Sequence, residues 1–488
     1  MKFGLKLASL VLVATLLATT VVAAGPDFNP GTGTADVAVM NTTTSSATVT
    51  AEYVNQAGTV ERTIPKTVPG KGTVDFLAAD SGLGEGWVGS MVLSSTAEIA
   101  SVARVTWTGG SSADGKVSGT YSGVPAGATT MYCAALYQRP GKQYSVLTVQ
   151  NTDTGTATIE IYYYDRNGTG YSGNPITDTI PQSAQRSYDL STPGGKVPSL
   201  PIVNPPGDGW IGSVKVVAQG GKKIAAVVTT HWPDYSSIDN CASTGYTSLY
   251  FPDIKRRVAG SAWKQFGGAV IQNLGSSTAN VTATWMDRDG NTLHTFTDTI
   301  PPLASHGYNT RYNADTPDPA ALFAALGDDR NGALRITSTQ PLAGVYNGQT
   351  VEGFLAGTTY SGDGAGGMAL YFPAVYRQVS GSNWIKFTAL LVYNPSETQA
   401  ANVTVKWYAT NGTELYSFTD SIPAKSSHGY NTRYAAGTNT PDPNALFAAL
   451  GDNYRGGVSI TSNIPVLGSS NIIEPAVDTD AYNAYAQQ

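Results

Sequence analysis

The chain has 488 residues, of which 41% are hydrophobic and 13% are charged, and its formal net charge at pH 7 is −6. At about 150 residues per domain, this length predicts three to four domains. Without a basic face, nucleic acid is not expected as a partner. Two cysteines exclude a disulfide-dense miniprotein and a cysteine-rich zinc array, and four histidines leave little material for a histidine-rich metal centre.

The first 24 residues have the pattern of a secretory signal peptide. Lys2 and Lys6 precede an apolar stretch over 7–18, and small residues follow as far as Ala24. The apolar stretch is too short to span a bilayer and is followed by a cleavage-like site. We therefore expect residues 1–24 to be removed, and the protein to be secreted or held at the cell surface without membrane insertion after cleavage.

An internal repeat is the strongest pattern in the sequence. The segment Leu-Tyr-Phe-Pro occurs at 249–252 and 370–373, and His-Gly-Tyr-Asn-Thr-Arg-Tyr occurs at 306–312 and 428–434. Two more divergent copies precede these, because an asparagine that ends a strand recurs at Asn41, Asn151, Asn273 and Asn394. The repeat predicts four units at 25–126, 127–247, 248–368 and 369–476, followed by a C-terminal strand or tail at 477–488.

Each unit has the pattern of short β-strands joined by tight turns. The segments 281–286 and 403–408 are rich in β-branched and aromatic residues that alternate with polar ones. Asp-Gly at 289–290 and Asn-Gly at 411–412 suit two-residue hairpins, because both residue types tolerate positive φ. Many short strands with regular turns indicate antiparallel β-sandwiches.

One short helix is predicted in each of the last two units. In the third unit Asp318 can cap the helix, Pro319 lies in its first turn and Gly327 ends it, and the pattern returns at 442–451. The fold class is therefore all-β, with four tandem antiparallel sandwiches. The Gly/Ser/Thr-rich stretch 356–367 at a unit border predicts a solvated linker.

The units resemble the immunoglobulin-like sandwich repeats of bacterial secreted surface proteins, in their strand pattern and repetition over the whole mature chain. The Cys…Trp…Cys core of true immunoglobulin domains is missing from the units. The LYFP and HGYNTRY segments look like those of large exported proteins of filamentous bacteria. The resemblance implies an exported protein of the cell surface.

No group of residues in the sequence points to an enzyme, a cofactor or a metal centre. Asp287 and Asp289 are candidates for a calcium-binding pair or an acid/base pair, but the turn chemistry favours a hairpin turn that tolerates Asp or Asn. His306 and His428 occur in matched repeats, whereas an active site is usually assembled once, so packing or surface roles are favoured. No Ser-His-Asp elbow, phosphate loop or zinc spacing occurs. We expect no catalytic, cofactor-binding or metal-binding residues.

Aromatic and arginine side chains of the repeat are candidates for contact with a partner. Trp263 and Trp384, with Tyr144 at the matching place in the second unit, are either core or lid residues or rings that stack on a sugar. The HGYNTRY segments are a candidate interface, since Tyr and Arg are favoured at such places. Its members are Tyr308, Arg311, Tyr430 and Arg433.

Two kinds of covalent modification are compatible with export. Cys133 and Cys241 flank the second unit, and an oxidising compartment favours a disulfide between them. Glycosylation is permitted at five Asn-x-Ser/Thr sequences, although such short matches arise readily by chance. These sequences begin at Asn41, Asn167, Asn280, Asn402 and Asn411.

The repeat is incomplete at both ends. The first unit lacks the leading strand of the other units, which begins about 20 residues before the recurrent asparagine. A sandwich that lacks a strand has an unpaired edge, which a strand of another copy can fill by β-augmentation. The alternative is a shorter first unit and a frayed tail. The candidate assembly strand contains Ala481, Tyr482, Ala484 and Tyr485.

Two functions follow from these patterns. The first is a non-enzymatic, exported structural protein that assembles head to tail with other copies of itself into a filament, sheath or surface layer. The alternative is an extracellular adhesin or carbohydrate-binding protein that recognises cell-surface glycans. Repetition of one surface favours the first function, whereas a single aromatic groove on one unit would favour the second.

Overall fold

The computed structural model describes residues 8–12, 28–112, 115–202, 209–351, 356–475 and 478–487. Strands hold 63% of the residues and helices 5%, so the predicted all-β, sandwich-like class is confirmed. The predicted cleavage site after Ala24 lies outside the described residues. No helix in the described part of the chain is long and apolar enough to cross a membrane.

The strands form four sandwich-like units in chain order, which we number one to four; their exact boundary residues stay predictions. Unit one contains β1 (Ala8–Leu12), β2 (Gly31–Asn41), β3 (Ala47–Asn55), β4 (Val60–Val68), β5 (Thr73–Phe76), β6 (Gly89–Ser95), β7 (Ile99–Gly109) and β8 (Lys116–Ser122). Unit two contains β9 (Thr130–Arg139), β10 (Gln143–Asn151), β11 (Ala157–Asp165), β12 (Ile176–Ile180), β13 (Gln185–Asp189), β14 (Trp210–Ala218), β15 (Ile224–His231) and β16 (Ser236–Asn240).

Units three and four each add one helix to the same strand order. Unit three contains β17 (Tyr246–Ala259), β18 (Ala262–Asn273), β19 (Ala279–Asp287), β20 (Thr292–Ile300), β21 (Ser305–Asn309), α1 (Pro319–Leu326), β22 (Asp329–Thr350) and β23 (Ala356–Ser361). Unit four contains β24 (Gly367–Ser380), β25 (Asn383–Tyr393), β26 (Ala401–Ala409), β27 (Glu414–Ile422), β28 (Ser427–Asn431), α2 (Pro443–Leu450), β29 (Asn453–Glu474), β30 (Asp478–Asn483) and β31 (Tyr485–Gln487).

Each unit closes two antiparallel layers around its own core. In unit one the layers are two sheets, in the orders β1-β6-β3-β4 and β5-β2-β7-β8. In units three and four one long strand belongs to both layers. In unit three, the first half of β22 pairs with β17 and β19 and its second half pairs with β18. In unit four, the first half of β29 pairs with β24 and β26 and its second half pairs with β25. A fully buried tryptophan lies in the core of each unit, namely Trp107, Trp210, Trp285 and Trp407.

The local sequence explains these elements. Along β19, Val281 and Ala283 are buried, while Thr282 and Thr284 beside them are partly exposed, which is the period-two pattern of a strand with one face on the core. The predicted helices are confirmed as α1 and α2. In α1, Asp318 Oδ1 accepts a hydrogen bond of 3.0 Å from the N–H of Ala321, as an N-cap does.

The recurrent asparagine ties together the turns of its unit. Asn273 is fully buried, and its Nδ2 donates to the carbonyl oxygens of Ser277 and Ile300 at 2.8 and 2.9 Å. The equivalent side chains bridge two turns in the same way. These are Asn41, Asn151 and Asn394.

The four units form a closed ring, because a hairpin of each unit contacts the next and the fourth contacts the first. The backbone carbonyl of Arg166 in unit two accepts from the N–H of Ser305 in unit three, and that of Arg288 accepts from Ser427 in unit four. The equivalent carbonyl of unit four, that of Thr410, accepts from the N–H of Thr73 in unit one. Between units one and two the bond comes from a side chain: Arg186 donates to the carbonyl of Gln56.

The final strands of the units, β8, β16, β23 and β30, meet at the centre of this ring. Asn240 exchanges two hydrogen bonds with the backbone of Ser122, and Asn483 does the same with Ser361. The hydroxyl of Ser122 donates to the carbonyl of Asn483 at 2.7 Å, and that of Ser361 donates to the carbonyl of Asn240 at 3.1 Å. Four equivalent positions are therefore joined in one cycle.

Buried charges complete the contact between units four and one. Arg104 of β7 binds Glu474 at 2.5 Å and Asp480 at 2.6 Å, and Lys116 and Lys386 also bind Glu474. Burial alone would raise the pKa of Glu474, but Arg104 and the two lysines hold it well below its ordinary value. The ionised carboxylate is therefore part of the folded state at neutral pH.

One expectation about strand positions was wrong. The stretch 356–367 is not a linker, because its first six residues form β23, which pairs with β22. The missing leading strand of unit one was expected of the chain after cleavage and stays a prediction; in the full chain, Ala8–Leu12 of the predicted signal peptide pairs with β6, where β9 pairs with β14 in unit two. Residues 13–30 separate β1 from β2, whereas a short hairpin joins the corresponding strands of the other units. The spacing of the repeat therefore does not reveal β1.

We expect Asn273→Ala to lower the free energy of unfolding by about 2 kcal/mol, because the buried carbonyl of Ile300 and the partly buried carbonyl of Ser277 lose their donor. The matched control is Asn280→Ala on the exposed face of β19, for which we expect a change within about 0.5 kcal/mol. Denaturant titration of both variants measures the difference. Equal losses would show that Asn273 does not tie the turns.

We expect Arg104→Ala to cost about 3 kcal/mol of unfolding free energy, because it leaves Glu474 and Asp480 buried with fewer cations. Lys406→Ala, which breaks the exposed pair of Lys406 with Glu414, should cost less than about 1 kcal/mol. Denaturant titration at pH 7 compares the two variants. A loss no larger than that of the control would contradict a closed ring held by these charges.

Candidate functional site: two arginine–aromatic stacks

Unit three carries a cluster of rings around one arginine, which we call the unit-three stack. The guanidinium carbon of Arg311 lies 5.1, 4.5 and 4.9 Å from the ring centres of Trp263, Phe266 and Tyr312. The tryptophan and phenylalanine lie on β18, and the arginine and tyrosine follow β21. Asn309 holds this turn, because its Oδ1 accepts from the N–H groups of Arg311 and Tyr312 at 2.7 and 3.0 Å.

Unit four repeats the arrangement, and we call it the unit-four stack. Arg433 lies 5.1, 4.9 and 4.7 Å from the ring centres of Trp384, Phe387 and Tyr434. Asn431 holds the turn in the same way, with bonds of 2.6 and 2.9 Å. Two units thus present one chemical surface, which cation–π contacts stabilise.

A second arginine anchors each tryptophan from within the unit. Arg256 lies 4.9 Å from the ring centre of Trp263, and its Nε donates to the carbonyl of Gly327 at the end of α1. Burial lowers the pKa of this guanidinium despite the nearby Asp328. Arg377 makes the same contact with Trp384. Each tryptophan therefore supports a stack, as the lid interpretation expected, and is not itself an open platform.

The exposed parts of each stack are a tyrosine ring and the edge of an arginine. Tyr312 is 52% exposed and Tyr434 is 48% exposed, which is unusual for aromatic side chains of this protein. The guanidinium groups of Arg311 and Arg433 donate no hydrogen bond to any residue in the described ranges. Each stack thus offers an aromatic face beside N–H donors that have no partner among the described residues.

The structure divides the candidate interface into surface and core. Arg311 and Arg433 belong to the stacks, whereas Tyr308 and Tyr430 are fully buried and donate to Asp298 and Asp420 at 3.0 and 2.9 Å. The sequence suggested these two tyrosines for an interface, but within this chain both belong to the cores of their units.

The histidines of the repeat join the same aspartates. His306 Nδ1 lies 2.6 Å from Asp298 Oδ2, and His428 makes the same contact with Asp420. Burial alone would raise the pKa of Asp420, but hydrogen bonds from the histidine and tyrosine lower it below its ordinary value. The histidines thus pack within their units.

Sequence reasoning missed Tyr312 and Tyr434 as individual residues, although the matched Trp-x-x-Phe spacing on β18 and β25 was a usable signal.

Other candidate residues have local roles. Asp287 Oδ1 accepts from the N–H groups of Asp289 and Asn291, which is turn chemistry. Tyr144 is buried between Phe28 and His231 and offers no sugar platform. The cysteine prediction is confirmed by a Cys133–Cys241 disulfide.

The sequons differ in accessibility. Asn41 is fully buried as the recurrent asparagine of unit one, so this site is unsuited to glycosylation. The other four asparagines are exposed, so glycosylation there stays a prediction. They are Asn167, Asn280, Asn402 and Asn411.

The candidate assembly strand lies inside its own chain. Ala481 and Tyr482 are buried in β30, which pairs with β29, and the hydroxyl of Tyr482 donates to the carbonyl of Ala374. Ala484 packs on the core of unit four, and the hydroxyl of Tyr485 donates to Glu98 of unit one at 2.9 Å. These residues thus close the ring, an arrangement different from the expected insertion into another copy.

No family model and no curated protein matches the sequence. Among solved structures, the chain is similar to Thermotoga maritima 1070 at 18% identity, over 24% of this chain and 94% of that one, with a TM-score of 0.20. It is similar to the Anabaena sensory rhodopsin transducer at 22% identity, over 21% and 87%, with a TM-score of 0.17. A tetra-tandem repeat in the extending region of a large adhesion protein matches at 12% identity, over 99% and 100%, with a TM-score of 0.11. Scores this low carry no functional argument.

We expect Asp420→Asn to weaken the acid dependence of stability. The lowered pKa of Asp420 means that its stabilisation is present above its unfolded pKa of about 3.9 and is lost as the pH falls through the lower folded value. The variant should therefore be less stable at pH 7 and lose less stability between about pH 5 and pH 2. Denaturant titrations across this range test it, and Asp289→Asn at an exposed hairpin tip should keep the wild-type profile.

Proposed function

We propose that the protein is an extracellular adhesin that binds carbohydrate through the two stacks and acts by binding rather than by catalysis. One observation carries this proposal: units three and four present the same exposed tyrosine beside an arginine whose N–H groups have no partner in the described part of the chain. Repetition of a surface by itself favours assembly, but packing of the chain does not require an exposed ring next to N–H donors that have no partner among the described residues, and this combination suits a small ligand.

The chemistry of each stack suits a sugar. The apolar face of a pyranose ring packs on an aromatic face, as other apolar groups do. The planar guanidinium donates in a fixed fork to neighbouring hydroxyl or carboxylate oxygens. Because Arg311 and Arg433 are already held against three rings, little side-chain entropy is lost when they donate to a ligand.

The closed ring supports two-point attachment. Units three and four are joined through Arg288 and Ser427 and through the central hydrogen bonds of Ser361 and Asn483. Two sites at a fixed spacing bind a multivalent glycan surface with an avidity that can exceed the single-site affinity by about 100-fold or more. The disulfide suits an oxidising, extracellular location.

Head-to-tail assembly is the second candidate function, and the position of β1 favours it. If residues 1–24 are removed, the edge of β6 loses its partner strand and becomes open to β-augmentation. Negative-stain electron microscopy of a chain that begins at Gly25 tests this function. Fibres or sheets would support assembly, whereas dispersed single rings at all concentrations would oppose it.

We expect Tyr434→Ala and Tyr312→Ala each to weaken glycan binding about tenfold, and the double variant to abolish it, because the stacking face is lost. A glycan array of the secreted protein identifies the ligand, and calorimetry then measures the affinities. Tyr162→Ala, on the surface of unit two outside the stacks, is the control and should bind normally. Wild-type affinity in the double variant would exclude the stacks as the binding sites.

A further inference from the structure

A cleft of about 640 Å³ lies between units three and four. The unit-four side includes Tyr434 and Phe387 of the stack, so the cleft adjoins a proposed sugar site. The unit-three side is strongly charged. Its ionisable groups are Asp253, Lys255, Arg257, Arg288 and Asp329, and no other charged side chain lines the described part of the cleft.

The charges at this boundary replace apolar residues at the boundary between units two and three. Leu136 of unit two and Ile254 of unit three each pair with a glycine of the neighbouring strand, so these two residues occupy equivalent positions. The residues on either side are therefore also equivalent: Ala135 corresponds to Asp253, and Tyr137 corresponds to Lys255. Ala135 and Tyr137 are buried in an apolar cluster that fills the boundary between units two and three. The open, charged cleft between units three and four is therefore not a requirement of the ring.

Most of the charges in the cleft are already paired. Lys255 binds Asp253 at 3.1 Å, Asn471 of unit four donates to the same carboxylate, and Arg257 binds Asp329. The guanidinium of Arg288 lowers the pKa of Asp253 through space, but it makes no direct ion pair or side-chain hydrogen bond with the residues that the structure describes. Among the described residues, the cleft thus holds one more cation than carboxylates.

The equivalent arginine of unit two has the carboxylate that Arg288 lacks. Arg166 occupies the same hairpin position and forms an ion pair with Asp315 of unit three. Asp315 accepts from the N–H of Gly307, and in unit four that role belongs to Asn439, which accepts from Gly429. Arg288 Nη1 lies next to Gly429, 3.8 Å from the position that a Cβ atom on this glycine would occupy. A neutral amide therefore stands where the other boundary has an anion.

We infer that the cleft between units three and four binds an anionic group of a saccharide, a carboxylate or a sulfate, with Arg288 as its counter-ion and Tyr434 as the neighbouring sugar platform. This inference deepens the proposed function, on which its saccharide part rests. At the boundary between units two and three, the equivalent arginine, Arg166, is paired with Asp315 and does not offer the stack of unit three the same counter-ion. The two sites thus differ in specificity, with the acidic sugar selected by unit four.

The remaining charges of the cleft favour an anion over a cation. Asp253 is buried; burial alone would raise its pKa, but Lys255, Arg288 and Asn471 lower it below its ordinary value. Its negative charge is therefore balanced within the protein. Three cations against two carboxylates leave a single positive charge to be matched by a ligand.

The test compares ligands of equal length and different charge on the full secreted chain. Calorimetry at constant ionic strength measures binding of a neutral oligosaccharide, an oligouronate and a sulfated oligosaccharide, and the last two arms distinguish carboxylate from sulfate. We expect the preferred anionic ligand to bind about tenfold more tightly than the neutral one, as a charged hydrogen bond allows. Titration with inorganic sulfate probes the anion site without any sugar.

The decisive variant is Asn439→Asp, which supplies Arg288 with the carboxylate that Arg166 has. Because Asn439 is exposed, this change should not impair folding, and it should remove both sulfate binding and the anionic preference while neutral sugar binding persists. Arg288→Gln should have the same effect, and Arg166→Gln should not change the preference.

The outcomes separate the two proposals. Sulfate binding and anionic preference that are unchanged in Asn439→Asp and Arg288→Gln would overturn the anion site, even if sugars bind through Tyr434. Sulfate binding that Asn439→Asp removes, together with no binding of any saccharide, would support the anion site and reject the proposed function. Absence of sulfate binding and of anionic preference in the wild-type chain would also overturn the anion site.

Discussion

Cyclic closure of the four units is the constraint on which the rest of the structure depends. Each unit must present a hairpin carbonyl to the next unit and a final strand to the centre, and the fourth unit must satisfy the same requirements against the first. The serine and asparagine residues of the central cycle meet the second requirement, and their short polar side chains fix the register of the strands at the centre. A shift of one residue in β30 would turn Tyr482 out of its core and Asn483 away from Ser361.

Closure also determines where a ligand can bind. Three of the boundaries differ clearly in their side chains: apolar packing between units two and three, an ion network between units four and one, and an open, charged cleft between units three and four. A repeated scaffold allows one boundary to change while the others maintain the ring. The stacks shared by units three and four supply the proposed sugar contacts, and the differences between the boundaries supply the proposed specificity.

Much of the fold follows from the sequence, because its signals are local. Alternation predicts β19 and β26, Asp318 and Gly327 predict α1, and the spacing of the repeat predicts four units. The closed ring depends on contacts between residues more than 350 positions apart, such as Arg104 with Asp480, and no local pattern encodes them. The linker prediction for 356–367 failed since glycine and threonine suit a solvated loop as well as a central strand. The stacks were visible only in part, because the burial that separates Tyr308 from Tyr312 is set by tertiary packing.

The position of β30 has a consequence for how the protein is made. Its strand covers β8 of unit one, yet about 360 residues of chain are synthesised between the two. Until β30 has been synthesised, the face of β8 that contacts it is uncovered and Arg104 lacks Asp480 as a partner. The ring therefore closes only after β30 has emerged from the ribosome, and a chain that terminates before β30 would leave units one and four open to contact with other molecules.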